Sequence, residues 1–300
     1  MSQNIAAWYI EKVSDKVVVL FQAHGGLLDG TMVEGDIVAN TIKFPIIGRT
    51  EVYKLSGAIE RVPVGGPGLS TVTLTAEDFE ASDWWRIQDA YKAGPNEQQA
   101  LAMIIVKAIR RKRDKLKIDA LTVFAAGNFG VKTIGDGTGI IDILDTEQAR
   151  AEVAATGAEN FEMFCMLPAL WMSQLKFYKE FASAEWIGND NLPWSNVQRA
   201  LTRTVGGVHY IEGPDEYFAG PDGNSLFAYM WAKEAMGATM PINKEAPSIT
   251  QHHDMQGSPY LIKSMMSGGA IGIQAAGVKR LHFKKIARPV RPAILTQQAA

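Results

Sequence analysis

The sequence of residues 94–127 reads GPNEQQALAMIIVKAIRRKRDKLKIDALTVFAAG, and its pattern predicts one long α-helix. Pro95 suits the first helical turn, and Gly127 suits the position that closes the last one. We expect other elements to pack along this helix, which is longer than most helices of globular proteins. One face is predicted to be apolar and carries Leu101, Ile104, Ile105, Ala108, Ile109, Leu116, Ala120 and Val123. The opposite face is predicted to be charged and carries Lys107, Arg110, Asp114 and Lys117.

The composition of the chain limits the classes of protein to which it can belong. The 300 residues are 47% hydrophobic and 21% charged, which indicates a folded protein of one large or two small domains. A net charge of −2 argues against a general nucleic-acid-binding protein, although it allows a protein that encloses nucleic acid. The sequence shows no signal peptide, and no apolar run approaches the roughly 20 residues needed to span a membrane. The single cysteine, Cys165, fits a reducing cytoplasm and is predicted to be a buried strand residue.

Residues 31–75 predict a long β-hairpin. Val38, Ile42 and Phe44 are spaced to share one face of a strand, and the β-branched residues of 69–75 predict the return strand. Because an isolated two-stranded hairpin is marginal in water, we expect this one to lie on a neighbouring molecule; the alternative is a mobile surface loop. The turn-rich tip, residues 48–68, carries the candidate contact residues Arg49, Lys54 and Arg61.

Charged and aromatic residues near the long helix suggest further contacts. Trp84 and Trp85 are expected to anchor the root of the hairpin against that helix by burying their rings. Residues 255–300 contain no Asp or Glu but several basic residues, including Lys284 and Lys285. An acidic group precedes the helix and comprises Glu77, Asp78, Glu80, Asp83 and Asp89. We expect the basic and acidic zones to meet on neighbouring molecules, although a solvated surface is the simpler explanation for any one charge.

The remaining sequence predicts a mixed α+β arrangement. Residues 4–23 can form an amphipathic helix, and a second helix is expected over 146–156 with its cap at Asp145 or Thr146. Strands are expected over 161–167, 200–211 with a break at Gly206-Gly207, and 225–231, and a helix over 169–181. A closing hairpin is expected to turn at Gly277, and the prolines of 288–292 favour an extended arm.

Residues that could support chemistry do not form a convincing site. His252, His253 and Asp254 are the strongest group, but adjacent histidines diverge on either a strand or a helix, so they are poorly placed to share a metal. The segment Gly135–Gly139 lacks the Lys-Ser or Lys-Thr ending of a phosphate loop and is read as a glycine turn. Ser173 and Ser195 lack the context of a hydrolase nucleophile. We therefore expect no catalytic residue, no cofactor and no metal.

The order of these elements resembles that of the major capsid proteins of tailed bacteriophages, with the Hong Kong 97-type fold. Three stretches carry the resemblance: TVTLTAEDFEA (71–81), FCMLPAL (164–170) followed by FASAEW (181–186), and MMSGGAIG (265–272) continuing through Gly277-Val278-Lys279. The resemblance implies an α+β fold with an amino-terminal arm over 1–30 and an extended loop over 31–75. It further implies a peripheral lobe with the spine helix over 76–139 and 266–300, and an axial lobe over 140–265.

The same resemblance implies a structural function. The chain is expected to assemble with itself into pentamers and hexamers, and thus into an icosahedral shell around double-stranded DNA, in the virion and after assembly in the host cytoplasm. A portal protein and separate scaffolding or decoration proteins are the implied partners, with no membrane involved. Some relatives crosslink a loop lysine to a neighbour's asparagine, and Lys54 would be the donor here. The alternatives are an encapsulin-like nanocompartment shell protein and, less favoured, a cytoplasmic metal-dependent enzyme using His252, His253 and Asp254.

Overall fold

The computed structural model describes residues 25–50, 52, 54, 66–86, 95–127, 129–158, 160–178, 181, 202–240 and 248–290, with side chains of the long helix from Ala102 onward. The chain divides into two compact units. Unit 1 comprises Met1–Gly26, Asp78–Asp114 and Pro241–Ser267, and unit 2 comprises Leu27–Glu77, Lys115–Met240 and Gly268–Ala300. The predictions for residues 4–23, Arg61, Asp89, Ser195 and the Arg291-Pro292 end of the tail fall outside the described residues.

The long helix is confirmed as α1, Pro95–Ala126, whose 32 residues extend for about 48 Å. Its buried face differs from the predicted one in the second half, where Val123 is 70% exposed while Asp114 and Lys117 are buried. The stripe that is buried follows four-residue steps along one side of the helix. The residues at these steps are Ile105, Ile109, Arg113, Lys117, Leu121 and Ala125, and Asp114, Ile118 and Phe124 beside them are buried as well. The prediction was wrong because it assigned charged residues to the solvent by type, whereas the position on the helix decides burial.

Unit 1 contains a three-stranded sheet and the first part of α1. The sheet order is β11 (Ser248–Gln251), β12 (Tyr260–Gly268) and β4 (Glu77–Trp85), with β11 and β12 antiparallel. The ammonium group of Lys112, on α1, lies 4.5 Å from the centre of the Phe79 ring, on β4. This cation–π contact joins the helix to one face of the sheet.

Unit 2 is built on a six-stranded mixed sheet with the order β5-β14-β9-β6-β8-β7. Its strands are β5 (Lys132–Ile134), β6 (Met163–Pro168), β7 (Thr202–Val205), β8 (Val208–Gly213), β9 (Ser225–Ala232) and β14 (Val278–Lys284). Strands β6 and β8 are parallel, as are β14 and β5, and the other pairs are antiparallel. The single strand predicted over 200–211 is instead two strands: at the predicted break, Gly206 and Gly207 both adopt a positive φ and the chain reverses, so β7 and β8 form an antiparallel hairpin.

Both faces of this sheet are packed. On one face lie helices α2 (Ile143–Val153) and α3 (Ala169–Leu175), with the Trp171 ring edge-on to Phe283 at 5.9 Å. On the other face, the Trp231 indole N–H donates to the carbonyl of Thr31 at 3.0 Å, and the Tyr229 hydroxyl lies 2.9 Å from Thr122 Oγ1. Both indole and phenol are thus buried with their polar atoms hydrogen-bonded, as is usual for these residues.

In unit 2, the long hairpin packs against a small three-stranded sheet. Strand β10 (Met236–Thr239) lies between β1 (Val33–Gly35) and β13 (Ala270–Gly272). The predicted hairpin is confirmed as β2 (Thr41–Ile47) and β3 (Leu69–Thr75), which pair antiparallel over seven residues each. Within the described chain this pair forms a separate two-stranded sheet.

Two local predictions need correction. The second helix begins earlier than expected, because Asp142 caps it and Asp145 completes a capping box. The closing hairpin at Gly277 does not form: β13 pairs with β10, whereas β14 pairs with β9 and β5. A short 3₁₀ turn at Ala275–Gly277 carries the chain from one sheet to the other. Apolar patterning located both strands, although β13 ends at Gly272 rather than at the predicted Ala276, and the pattern contains no information about which strand each one joins.

Candidate subunit-contact surfaces

The hairpin β2–β3 has a buried root and an exposed distal end. At the root, Ile42, Phe44 and Leu74 form a small core of their own with partly buried residues of the neighbouring strands. At the distal end, Ile47 is 71% exposed and its partner Leu69 is 78% exposed. Apolar side chains of this size gain about 1.5–3 kcal/mol each when fully buried. The distal end is therefore a candidate contact surface whose apolar groups lie in water within one subunit.

Close backbone approach explains why the root is held firmly. A Cβ atom at Gly237 would lie 2.6 Å from the ring of Phe44, so a side chain at this position would displace the ring. At Gly35, a Cβ would come within 2.7 Å of Ile42. The two glycines therefore let the hairpin pack directly on the backbone of β1 and β10.

The basic residues predicted at the tip have different surroundings. Arg49 is exposed, and its Nη2 donates to the carbonyl of Thr156 in the same chain at 3.1 Å. Lys54 is exposed, and Arg61 lies outside the described residues. Arg49 thus makes an intramolecular contact that the sequence did not indicate, since the two residues are 107 positions apart.

The tryptophan pair does not bury its rings as predicted. Trp84 is 47% exposed, and its ring lies edge-on to His252 at 5.1 Å, while Trp85 is half-buried. Both residues lie at the end of β4, where successive side chains point to opposite faces of the sheet. The two rings therefore cannot share one buried site, and Trp84 is instead part of an exposed surface of unit 1.

Exposed charges fall on two separate strands. Strand β4 presents Glu77, Asp78, Glu80 and Asp83 to solvent, and Asp78 accepts a hydrogen bond of 2.5 Å from Ser267. At the end of β14, Lys284 and Lys285 have exposed side chains, although their backbone N–H groups bond to Gly139 and Asn224. The basic and acidic zones predicted from the sequence are thus both on the surface of their own units.

A buried charge that sequence reasoning placed on the surface lies in unit 2. Lys117 is 2% exposed, and its Nζ donates to the carbonyl of Leu28 at 2.7 Å. Carboxylate oxygens of Asp29 and Glu34 lie 3.6 and 3.7 Å from the same nitrogen. This group of acceptors holds the segment before β1 against α1. A useful sequence signal would have been the four-residue step from Arg113 to Lys117 to Leu121.

The residues considered for catalysis make local contacts. His252 Nδ1 lies 3.5 Å from Asp254 Oδ1, but no three potential metal ligands come together within the described residues. In the glycine segment, Asp136 accepts hydrogen bonds from the amide and hydroxyl of Thr138, which lower its pKa. Burial raises the pKa of the Cys165 thiol, which disfavours the reactive thiolate. No helix among the described residues is long and apolar enough to cross a bilayer.

One hydrogen-bonded chain resembles a catalytic arrangement but is oriented differently. The Ser225 hydroxyl donates to Asp222 Oδ1 at 2.6 Å, and His282 Nε2 lies 2.9 Å from the same serine oxygen. Because the serine proton is directed to the carboxylate, the histidine must be the donor to the serine, and it cannot act as its base. The hydrogen bonds from Ser225 lower the pKa of Asp222. These hydrogen bonds join the turn that precedes β9 to strand β14.

The comparisons with known proteins agree on one class. A model of the phage capsid protein family matches residues 5–285. No protein of curated function matches significantly. Among solved structures, the capsid of Ralstonia phage GP4 is similar with a TM-score of 0.68 at 10% identity, covering 96% of this chain and 100% of that one.

Two further solved structures have the same fold. The capsid of a native GTA particle, computed with C5 symmetry, has a TM-score of 0.65 at 11% identity and covers 92% of this chain and 95% of its own. The head of Helicobacter pylori bacteriophage KHP40 has a TM-score of 0.63 at 9% identity, with coverages of 91% and 94%. The predicted resemblance to capsid proteins with the Hong Kong 97-type fold is thereby confirmed. The chain belongs to the phage capsid protein family and is a structural major capsid protein.

Proposed function

We propose that this capsid protein assembles into an icosahedral shell made of pentamers and hexamers, and that the hairpin β2–β3 of one subunit lies on its neighbour. The observation that carries the proposal is the contrast between the two ends of the hairpin. Its root is packed, whereas Ile47 and Leu69 at the distal end are each more than 70% exposed. Within one subunit, nothing in the described chain covers these side chains or adds a third strand to the pair.

A neighbouring subunit would supply the missing contacts. Covering Ile47 and Leu69 would contribute about 2–5 kcal/mol per subunit before the cost of association is subtracted. A value of this size is small for one contact, but a shell repeats it in every subunit, and closed symmetry makes the contacts mutually dependent. Weak repeated contacts also allow a wrongly placed subunit to dissociate before the shell closes.

Charge complementarity supports a second contact. The exposed carboxylates of β4 include Glu80 and Asp83, and the exposed ammonium groups at the end of β14 belong to Lys284 and Lys285. We propose that these two zones face each other across a subunit boundary, where they would orient the approaching subunit more than they would add affinity. Trp84 lies on the same strand as the acidic residues and offers apolar area at that boundary.

The lobes of the subunit follow the family pattern in this proposal. On the family pattern, an axial lobe around the five-fold and six-fold axes would contain residues 140–265. We propose that this lobe is centred on the six-stranded sheet, including β5 and β14, whereas β11 and β12 belong with β4 in the peripheral lobe because the three strands form one sheet. A peripheral lobe would contain α1 as the spine and residues 76–139 and 266–300 outside that sheet. The capsid of the similar GTA particle was computed with C5 symmetry, which is consistent with five-fold packing in a protein of this fold.

The contents and partners of the shell are also proposals. Double-stranded DNA would be enclosed without sequence-specific binding, since the net charge of −2 provides no general attraction to nucleic acid. A portal protein, separate scaffolding or decoration proteins and assembly in the host cytoplasm complete the proposal, in which the protein catalyses no reaction. Lys54 is exposed as a crosslinking donor would need to be, and an SDS gel of intact particles showing only monomer would exclude such a crosslink.

The hairpin contact can be tested with a matched pair of variants. Ile47 and Val38 are both 71% exposed, but Ile47 lies at the distal end of the hairpin and Val38 lies near its root. Ile47→Asp is expected to prevent or strongly retard particle formation, because a carboxylate would be buried at the boundary. Val38→Asp is expected to assemble like the wild type. Sedimentation velocity and negative-stain electron microscopy measure both, and equal assembly of the two variants would refute the proposed contact.

A further inference from the structure

The distal end of the hairpin is tied to its own subunit by one directed contact. Arg49 follows β2 by two residues, and its guanidinium donates to the carbonyl of Thr156 at 3.1 Å. A Cβ atom at the next residue, Gly157, would lie only 3.6 Å from the same nitrogen, so the arginine rests closely on this turn. Both residues belong to unit 2.

The acceptor lies where a cation is favoured. Helix α2 is followed directly by a π-helical turn, Ala154–Ala158, in which Gly157 has a φ of 91°. Carbonyl groups at the carboxyl end of a helix have no partner inside it and carry the negative end of its dipole. The guanidinium of Arg49 therefore meets an acceptor that attracts positive charge.

The bond is also weak enough to exchange. Arg49 is exposed, so water competes for both its guanidinium and the carbonyl that accepts from it. The net free energy of this hydrogen bond is therefore small. The guanidinium has five donors, which would serve equally well for an acceptor on another subunit. While its Nη2 donates to Thr156, the arginine keeps the adjoining end of β2 beside its own π-turn, and we take this position to compete with placement on a neighbour.

We propose that the Arg49–Thr156 contact is an autoinhibitory latch that holds the hairpin against its own subunit and delays assembly until it opens. The inference rests on the proposed function, since it assumes that the hairpin is the part handed to a neighbour. A latch and a simple contact between subunits predict opposite effects of removing Arg49 on the rate of assembly. If Arg49 served only as a contact between subunits, its removal would slow assembly, whereas removal of a latch must speed the first steps.

The experiment compares Arg49→Ala with Arg49→Lys and with Lys43→Ala, which removes an exposed cation from the same hairpin. Light scattering measures the lag before particles appear. Loss of the latch is expected to shorten the lag by about two- to fivefold in Arg49→Ala, the upper value corresponding to about 1 kcal/mol. Arg49→Lys keeps a charge and a donor and should have a lag between those of the wild type and Arg49→Ala. Lys43→Ala should have the lag of the wild type.

A distance measurement on the unassembled subunit tests the latch itself. Spin labels at Val52→Cys and Ala155→Cys report the separation of the hairpin end from the π-turn, and both positions are exposed. Electron–electron resonance should give a narrow distance distribution when Arg49 is present and a broader, longer one in Arg49→Ala. The native Cys165 is buried and does not compete for the label.

The outcomes separate the inference from the proposed function. If wild-type particles form but Arg49→Ala shows an unchanged or longer lag, the latch is refuted while the shell proposal stands. An unchanged distance distribution in Arg49→Ala would refute the latch in the same way. If the wild type forms no particles under any assembly condition, the proposed function fails and the inference fails with it.

Discussion

Lys117 offers the sharpest test of how unit 2 is held together. Its ammonium group is 2% exposed and lies 2.7 Å from the carbonyl of Leu28, with Asp29 and Glu34 at 3.6 and 3.7 Å. Lys117→Met keeps most of the side-chain volume but removes the donor and the charge. We expect the variant to remain folded and to lose stability, because three acceptors lose the group that they share.

The magnitude follows from these contacts. The hydrogen bond from the charged Lys117 ammonium group is worth about 1.5–3 kcal/mol, and the Leu28 carbonyl keeps the Thr31 hydroxyl as a donor at 2.8 Å. The side chains of Asp29 and Glu34 are 38% and 21% exposed, so each retains water and adds less than about 1 kcal/mol. The expected loss in the free energy of unfolding is therefore about 2–4 kcal/mol. At about 2–4 °C per kcal/mol for a domain of this size, the melting temperature should fall by roughly 10 °C.

Urea unfolding of the dissociated subunit measures this change. Trp171 and Trp231 are almost fully buried in unit 2, so the part of the tryptophan fluorescence that changes when they reach water follows the unfolding of this unit, alongside the signal of Trp84 and Trp85 in unit 1. The matched control is Lys115→Met, which removes an exposed cation from the same helix and should change stability by less than about 0.5 kcal/mol. If the free energies of unfolding of the two variants differ by less than about 0.5 kcal/mol, the buried contacts of Lys117 do not stabilise unit 2 as we infer.

Three further predictions concern reactivity, pH and salt. The Cys165 thiol should resist an aromatic disulfide reagent in the native protein and react in urea, because burial raises its pKa; fast native labelling would contradict the burial of β6. The folded-state pKa of Asp222 is lowered by hydrogen bonds from Ser225, so its contribution to stability is present above its ordinary pKa of 3.8 and is lost as the pH falls through the folded value. Asp222→Asn should therefore flatten the acid limb of a stability–pH profile, and an unchanged limb would refute this. Raising the salt from about 0.1 M to about 1 M reduces the screening length from about 10 Å to about 3 Å and should raise the critical concentration for assembly. Glu80→Lys should also raise the critical concentration, but only at low salt. A critical concentration that neither change alters would refute the proposed charge contact between subunits.

The elements that depend on local chemistry could be predicted from the sequence. Proline and glycine mark the ends of α1 to within a residue, and the β-branched run predicts β3 with its observed bounds. The glycine pair between β7 and β8 marked the break in the predicted strand at the right residues, although the sequence did not show that the chain reverses there. In each case the deciding residues lie next to the feature that they specify.

The errors concern relations between distant residues. Lys117 is buried because Leu28, Asp29 and Glu34 supply acceptors from a segment about 85 residues away, and helical periodicity alone does not show this. Strand β14 enters the six-stranded sheet because β9 and β5 lie on both sides of it, whereas its sequence neighbour β13 joins another sheet. The contact between Arg49 and Thr156 is of the same kind. For the basic candidate contact residues that the structure describes, the sequence thus predicted exposure and charge but not their partners, and for Trp84 it predicted burial that the structure does not show.

In the proposed shell, a second copy of the chain covers the distal end of the hairpin β2–β3. Cryo-electron microscopy of particles assembled from the purified protein tests it most directly. We expect closed shells in which a neighbouring subunit covers Ile47 and Leu69 and the Arg49–Thr156 bond is broken. Shells in which these side chains stay in solvent and the hairpin remains on its own subunit would contradict it.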